Sequence, residues 1–187
     1  MANKVTYGLK NVHYAVATES EGSWTYGTPV ALEGAQEFSA TILGGKSDVY
    51  ADDKVIATTT SYSGQDITLK FTELSDQFKK DVLGYIEQDN SLIEITNAGV
   101  VTFALGFEIA GDAKRRRVWY YLCSATPVGD STKSTTDTVE VNSVQLAITA
   151  RPITSGNYDI IRVIKEQGQT GYDTFLTTAP TVPAISL

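Results

Sequence analysis

The chain has 187 residues, with 22 acidic against 15 basic side chains and a net charge of −7. That length makes one domain, or one domain with arms, and is enough to bury a core without staples. The acidic balance argues against tight binding of nucleic acid, whose phosphates are held by Lys and Arg. No run of about 18 apolar residues occurs, so no membrane-spanning helix is expected.

In chain order, residues 1–10 look extended and polar, an expected N-terminal arm without the apolar core of a signal peptide. Val12, Tyr14 and Val16 alternate with His13, Ala15 and Ala17, the period of a strand. Turn signals follow at 19–23 and 25–29. Phe38, Ala40 and Ile42 then face one way, and Glu37, Ser39 and Thr41 the other. After Leu43 the pattern fails. Gly44, Gly45, Lys46, Ser47, Asp48, Val49, Tyr50, Ala51, Asp52, Asp53 and Lys54 form a polar, glycine-led stretch without period, holding Val49 and Tyr50 at its middle. Irregular connections of this length are uncommon and often functional. Either a loose hairpin connection or a reaching loop that docks on a partner would account for it.

Ile67, Leu69 and Phe71 alternate with Asp66, Thr68 and Lys70, another strand. Leu74, Phe78, Val82 and Ile86 then recur every four residues, predicting an amphipathic helix near 72–85, capped by Thr72 or Ser75. A short strand over Leu92–Ile95 precedes the 97–99 turn. Val101, Phe103, Leu105, Phe107 and Ile109 alternate with Thr102, Ala104, Gly106 and Glu108. With Gly111-Asp112 as a turn and the aromatic stretch 116–125, this predicts a long β-hairpin with one face in a core. A Ser/Thr-rich loop spans 127–137. Val139 and Val141 alternate with Glu140, and Val144, Leu146, Ile148 and Ala150 make a further strand. Tyr158–Lys165 is the last strand expected. Residues 166–187 carry little period and are expected to form a C-terminal arm whose apolar residues need cover. The terminal segments are expected to become ordered only on binding.

Chemistry is conspicuously sparse. One Cys and one His make no zinc set, and nothing around Cys123 resembles a nucleophile motif. The lone cysteine cannot form an internal disulfide, so a reducing, cytosolic place of synthesis is expected. No phosphate-binding glycine loop or dinucleotide fingerprint occurs. Asp52-Asp53 lacks the ligand spacing of a calcium loop. No enzyme and no cofactor is expected. The basic run Lys114, Arg115, Arg116 and Arg117 sits at a hairpin turn, either solvated or paired with acids of a neighbouring subunit.

The opening N-K-V-T-Y-G-L-K-N-V-H-Y-A-V with Y-G-T-P-V, the Y-A-D-D at 50–53, F-K-K-D-V-L-G at 78–84 and F-A-L-G-F-E-I-A-G-D-A-K-R-R-R-V-W-Y-Y-L at 103–122 occur in this order. Together they resemble major tail proteins of long-tailed, non-contractile bacteriophages and prophages of Gram-positive bacteria. The resemblance runs through about residue 150 and weakens beyond. It implies a mainly β fold, a β-sandwich or barrel of the tail-tube type over 11–165 with one flanking helix. It also implies self-assembly into hexameric rings that stack into a virion tube. Implied partners are the tape measure protein and the tail terminator and distal tail proteins, with DNA passing through unbound and no membrane contact. On that view 44–54 is an inter-ring loop. The polar alternates Glu37, Ser39, Thr41, Asp66, Thr68, Lys70, Glu140 and Asn142 would line the lumen. A monomeric carbohydrate-binding β-sandwich is the rival expectation, with Trp24, Tyr26, Trp119 and Tyr121 as its aromatic platform.

Overall fold

The computed structural model describes residues 8–51, 54–109, 111–129 and 143–185. The strands of its first part are β1 (Leu9–Ser20), β2 (Ser23–Tyr26), β3 (Val30–Ala31), β4 (Ala35–Leu43), β5 (Lys46–Ala51), β6 (Lys54–Thr60) and β7 (Gly64–Phe71). A short helix, α1 (Asp76–Asp81), leads to β8 (Ile86–Gln88), β9 (Ser91–Ile93), β10 (Thr102–Ile109) and β11 (Arg117–Ala125). The chain continues with β12 (Val144–Arg151), β13 (Ile153–Ser155), β14 (Tyr158–Ile160) and β15 (Arg162–Lys165). The protein is mainly β, as its composition predicts.

Nine of these strands share one antiparallel sheet, ordered β2-β1-β10-β11-β12-β7-β4, with β3 also on β1 and β15 also on β11. The sheet bends, so that Phe38 of β4 packs on Phe107 of β10 with ring centroids 4.4 Å apart. The inner face of the bend holds the main core: Tyr14, Leu69, Phe71, Phe103, Leu105, Tyr120 and Leu146 are all fully buried there. Phe78 of α1 closes one end, meeting Tyr14 edge-on at 5.0 Å and Phe103 at 5.9 Å.

The helix is shorter than its apolar spacing predicts. Ser75 caps it, accepting the Phe78 amide at 3.3 Å. Gly84, at φ 75°, turns the chain out of the helix. Ile86 therefore begins β8, which turns through Asp89-Asn90 into β9.

The central hairpin is covered on both faces, not one. Its small alternates do not face water. Ala15, Ala104 and Trp119 are buried on the outer face beneath Leu176, with Tyr26 and Phe175 beside them. Gly106 lies directly opposite Trp119 in the β10–β11 register. A Cβ at Gly106 would stand 2.8 Å from three atoms of the indole ring. The strand keeps a residue without a side chain there because the tryptophan occupies that space.

The cover comes from residues 166–185, expected to be a free arm. Running through turns and then extended backbone up to residue 185, this segment lies on its own sheet. The Trp119 indole N–H donates to the Phe175 carbonyl at 2.6 Å, and the Tyr121 hydroxyl to that of Thr181 at 3.0 Å. The Ser155 hydroxyl donates to the Pro183 carbonyl at 2.9 Å. The expected N-terminal arm falls mostly on residues 1–7, outside the described residues.

Gly106→Ala is expected to destabilise the fold by about 1–3 kcal/mol through overpacking against Trp119, measured as a lower denaturant midpoint.

Candidate assembly surfaces

The stretch 44–54 is not an irregular loop. Lys46–Ala51 and Lys54–Thr60 pair as an antiparallel hairpin, with a register shift between Val49 and Tyr50. Asp52 and Asp53 lie outside the described residues. The hairpin prolongs the β4–β7 pair, so one ribbon runs from Ala35 to Phe71. At the junction the Ser61 amide donates to the Gly45 carbonyl and the Ser63 amide to the Leu43 carbonyl, both at 2.8 Å. The Gly45 amide donates to the Ser61 hydroxyl at 3.0 Å. Beyond the junction, the Thr58 hydroxyl donates to Asp48 at 2.6 Å. Gly44 is fixed by closeness: a Cβ there would stand 2.0 Å from the Ser61 carbonyl oxygen.

Six of the eight sequence-predicted polar alternates share a face. Glu37, Ser39 and Thr41 stand opposite Lys70, Thr68 and Asp66 across β4–β7, and β12 adds Gln145, Ala147 and Thr149 in the same rows. Lys70 and Glu37 form an ion pair at 2.6 Å, and the Thr149 hydroxyl donates to Asp66 at 3.0 Å. Glu140 and Asn142, placed on this face by alternation, lie outside the described residues. The far edge of β4 pairs with no strand among the described residues.

The basic run finds its acids within its own chain. Lys114 pairs with Glu166 at 2.8 Å and Arg116 with Asp112. Arg115 and Arg117 both reach Glu108, at 3.3 and 3.0 Å. Glu108 is 1% exposed and also accepts from the Asn11 amide at 3.1 Å. Burial pushes its pKa up. Hydrogen bonds from Asn11 and Arg117, with the charges of Arg117 and Arg115, outweigh burial and hold it below the ordinary carboxylate value. Arg117 continues outward to the Tyr172 carbonyl at 2.6 Å and stacks on the Tyr172 ring at 4.2 Å. The run therefore ties the hairpin turn to the C-terminal segment. Pattern alone put Glu108 on a polar face; its register partner Arg117, directly across the hairpin, is the signal that could have revealed the pair.

Other chemistry is equally bounded. Among the described residues no group of three His, Cys, Asp or Glu side chains could hold a metal. Cys123 is fully buried, and burial pushes its thiol pKa up, which disfavours the reactive thiolate. Trp119 and Tyr121 are buried and cannot serve an exposed sugar-binding platform with Trp24 and Tyr26. Among the described residues no helix is long and apolar enough to cross a membrane. Compared with known proteins, the chain matches no family model and no curated sequence.

Gly44→Ala is expected to loosen the ribbon junction by about 1–3 kcal/mol. Gly45→Ala, which meets nothing closer than 4.0 Å, should change stability by less than about 0.5 kcal/mol. Chemical denaturation of both variants checks the contrast. Glu108→Gln should cost about 1.5–3 kcal/mol at neutral pH, because charge-assisted bonds from the arginines are lost. A carboxyl with a depressed folded pKa stabilises above its unfolded value and loses that contribution as pH falls through the folded one. The gap between parent and variant should thus be full above the ordinary value of 4.5 and shrink below it, which denaturant midpoints across pH would show.

Proposed function

We propose that the protein is a structural subunit of a phage-type tail tube, self-assembling into hexameric rings that stack around a central channel for DNA. The observation that carries this reading is the open edge of β4, prolonged by the β5–β6 hairpin into a single ribbon. Unpaired strand edges template pairing with other chains and are normally short, charged or covered. Here the edge strand is nine residues long, and its Ile42 is exposed. A heterologous contact repeated with a closing rotation gives a ring, and repeated along an axis gives a filament. The motifs quoted from the sequence point the same way.

Within this proposal the β5–β6 hairpin makes the contact between stacked rings. The wet face of β4, β7 and β12 lines the channel. Its acids are matched by Lys70 and hydroxyls, so it offers phosphate little to grip. The tape measure, tail terminator and distal tail proteins would be its partners, and the virion its destination. The buried Trp119 and Tyr121 favour this reading over a sugar-binding module.

Sedimentation and negative-stain microscopy of the purified chain test it. Rings or tubes are the expected outcome, and a species fixed at 20.2 kDa at high concentration would refute the proposal. Replacing residues 46–60 with a short Gly-Ser link should keep β4–β7 and the fold while abolishing tubes. A tube density map that turns the Glu37–Lys70 face outward would remove the lumen assignment.

A further inference from the structure

Two apolar features of the subunit have no cover among the described residues, and the charges they carry are complementary. The first is convex. The β8–β9 hairpin turns on Asp89 and Asn90, both at positive φ (52° and 59°), which gives a tight two-residue turn. Behind the turn Ile86 and Ile93 form a cross-strand pair, 48% and 41% exposed. A non-covered isoleucine pair on a two-stranded ribbon is poorly placed for a lone molecule in water. Asp89 at the tip is exposed and has no partner among the described residues.

The second is concave. A cleft of about 500 Å³ opens between the starts of β1 and β4 and the strand β15. Phe38, Phe107, Ile109, Val118 and Ile164 give it apolar walls. Three charged groups reach it. Glu37 is engaged by Lys70 and Arg116 by Asp112. Arg162 has no carboxylate partner among the described residues. Its guanidinium donates to the Tyr120 hydroxyl at 3.0 Å, which in turn donates to the buried Gln65 at 2.9 Å. That chain of bonds holds a cation ready at the cleft.

The two features belong to opposite ends of β10. The cleft lies against Phe107 and Ile109, whereas the helix that leads into the hairpin packs on Phe103. An acid-tipped apolar plug at one end and a cation-bearing apolar socket at the other suit two copies joined head to tail. We propose that the β8–β9 hairpin of one subunit seats in the Phe38–Phe107–Ile164 cleft of the next, with Asp89 facing Arg162. This rests on the self-assembly reading and names a contact that carries it. Such a contact is heterologous, each subunit giving a plug and receiving one, so it leaves no self-complementary dimer as an end point.

Disulfide trapping reads the contact directly. Ile93→Cys and Ile164→Cys variants, mixed and oxidised, are expected to give a cross-linked band at twice the 20.2 kDa subunit mass, absent from either variant alone. Cys123 is buried and does not compete. Charge reversal gives the second reading. Asp89→Arg and Arg162→Asp should each raise the concentration needed for assembly by about tenfold, and mixing the two changes in one chain should restore it. Thermal melts confirm that each variant is folded; where a reversal does not fold, the cross-link decides. If the parent assembles but the mixed cysteines do not cross-link, or folded reversals assemble normally, this contact is wrong and the ring proposal stands. If the parent stays monomeric, both fall. Binding of dodecanoate in the cleft of a subunit that never cross-links would assign it to a small amphipathic anion and overturn the contact.

Discussion

The fold depends on how one indole is housed. Trp119 points away from the main core and lies over Gly106, in the hollow left by Ala15 and Ala104. An aromatic side chain of that size left in water on a sheet surface would forgo one of the larger burial gains open to the chain. Covering it requires a second layer, and residues 166–185 supply that layer without forming a strand or helix. Their backbone carbonyls are met by Trp119, Tyr121 and Arg117 of the large sheet and by Ser155 of β13. Irregular backbone can lie on a sheet when its polar groups are satisfied in this way.

The ionic cluster at the β10–β11 turn serves the same layer from its side. Glu108 is taken out of water at the end of β10, and three neighbouring donors keep it ionised. Arg117 shares its guanidinium between that acid and the Tyr172 and Asp173 carbonyls. Buried pairs of this kind add little net stability over apolar packing, but breaking one leaves a stranded charge. Its effect here is positional: the turn, the bulged start of β1 and the C-terminal segment share one register.

Much of the sheet was legible because one wet face and one dry face impose a period of two. Val12 and Tyr14, Ile67 to Phe71, and Leu146 to Ala150 all follow it, and all lie inside the bend. The polar rows opposite them followed automatically. The β5–β6 hairpin was not legible, because the run Lys54–Thr60, K-V-I-A-T-T-T, does not alternate apolar with polar residues. The helix was overread because Leu74, Phe78 and Val82 keep their spacing on either side of its true ends, while one glycine decides where it stops. The outer face of β10 was misread for a different reason. Ala104 and Gly106 look like surface alternates, and only the distant Trp119 and Leu176 explain their smallness. Alternation reports which residues differ from their neighbours, not what lies above them.

The order in which the ribosome releases the chain gives the C-terminal cover a further meaning. Every strand it lies on is made before it. Translation proceeds at roughly 5–20 residues per second, and N-terminal parts begin to fold first. Until residues 172–183 emerge, the nascent sheet shows Trp119 and Tyr121 to its surroundings. The outer face of the sheet is therefore closed only once residues 172–183 have been made, and a chain stalled before them carries an open aromatic face for chaperones to recognise.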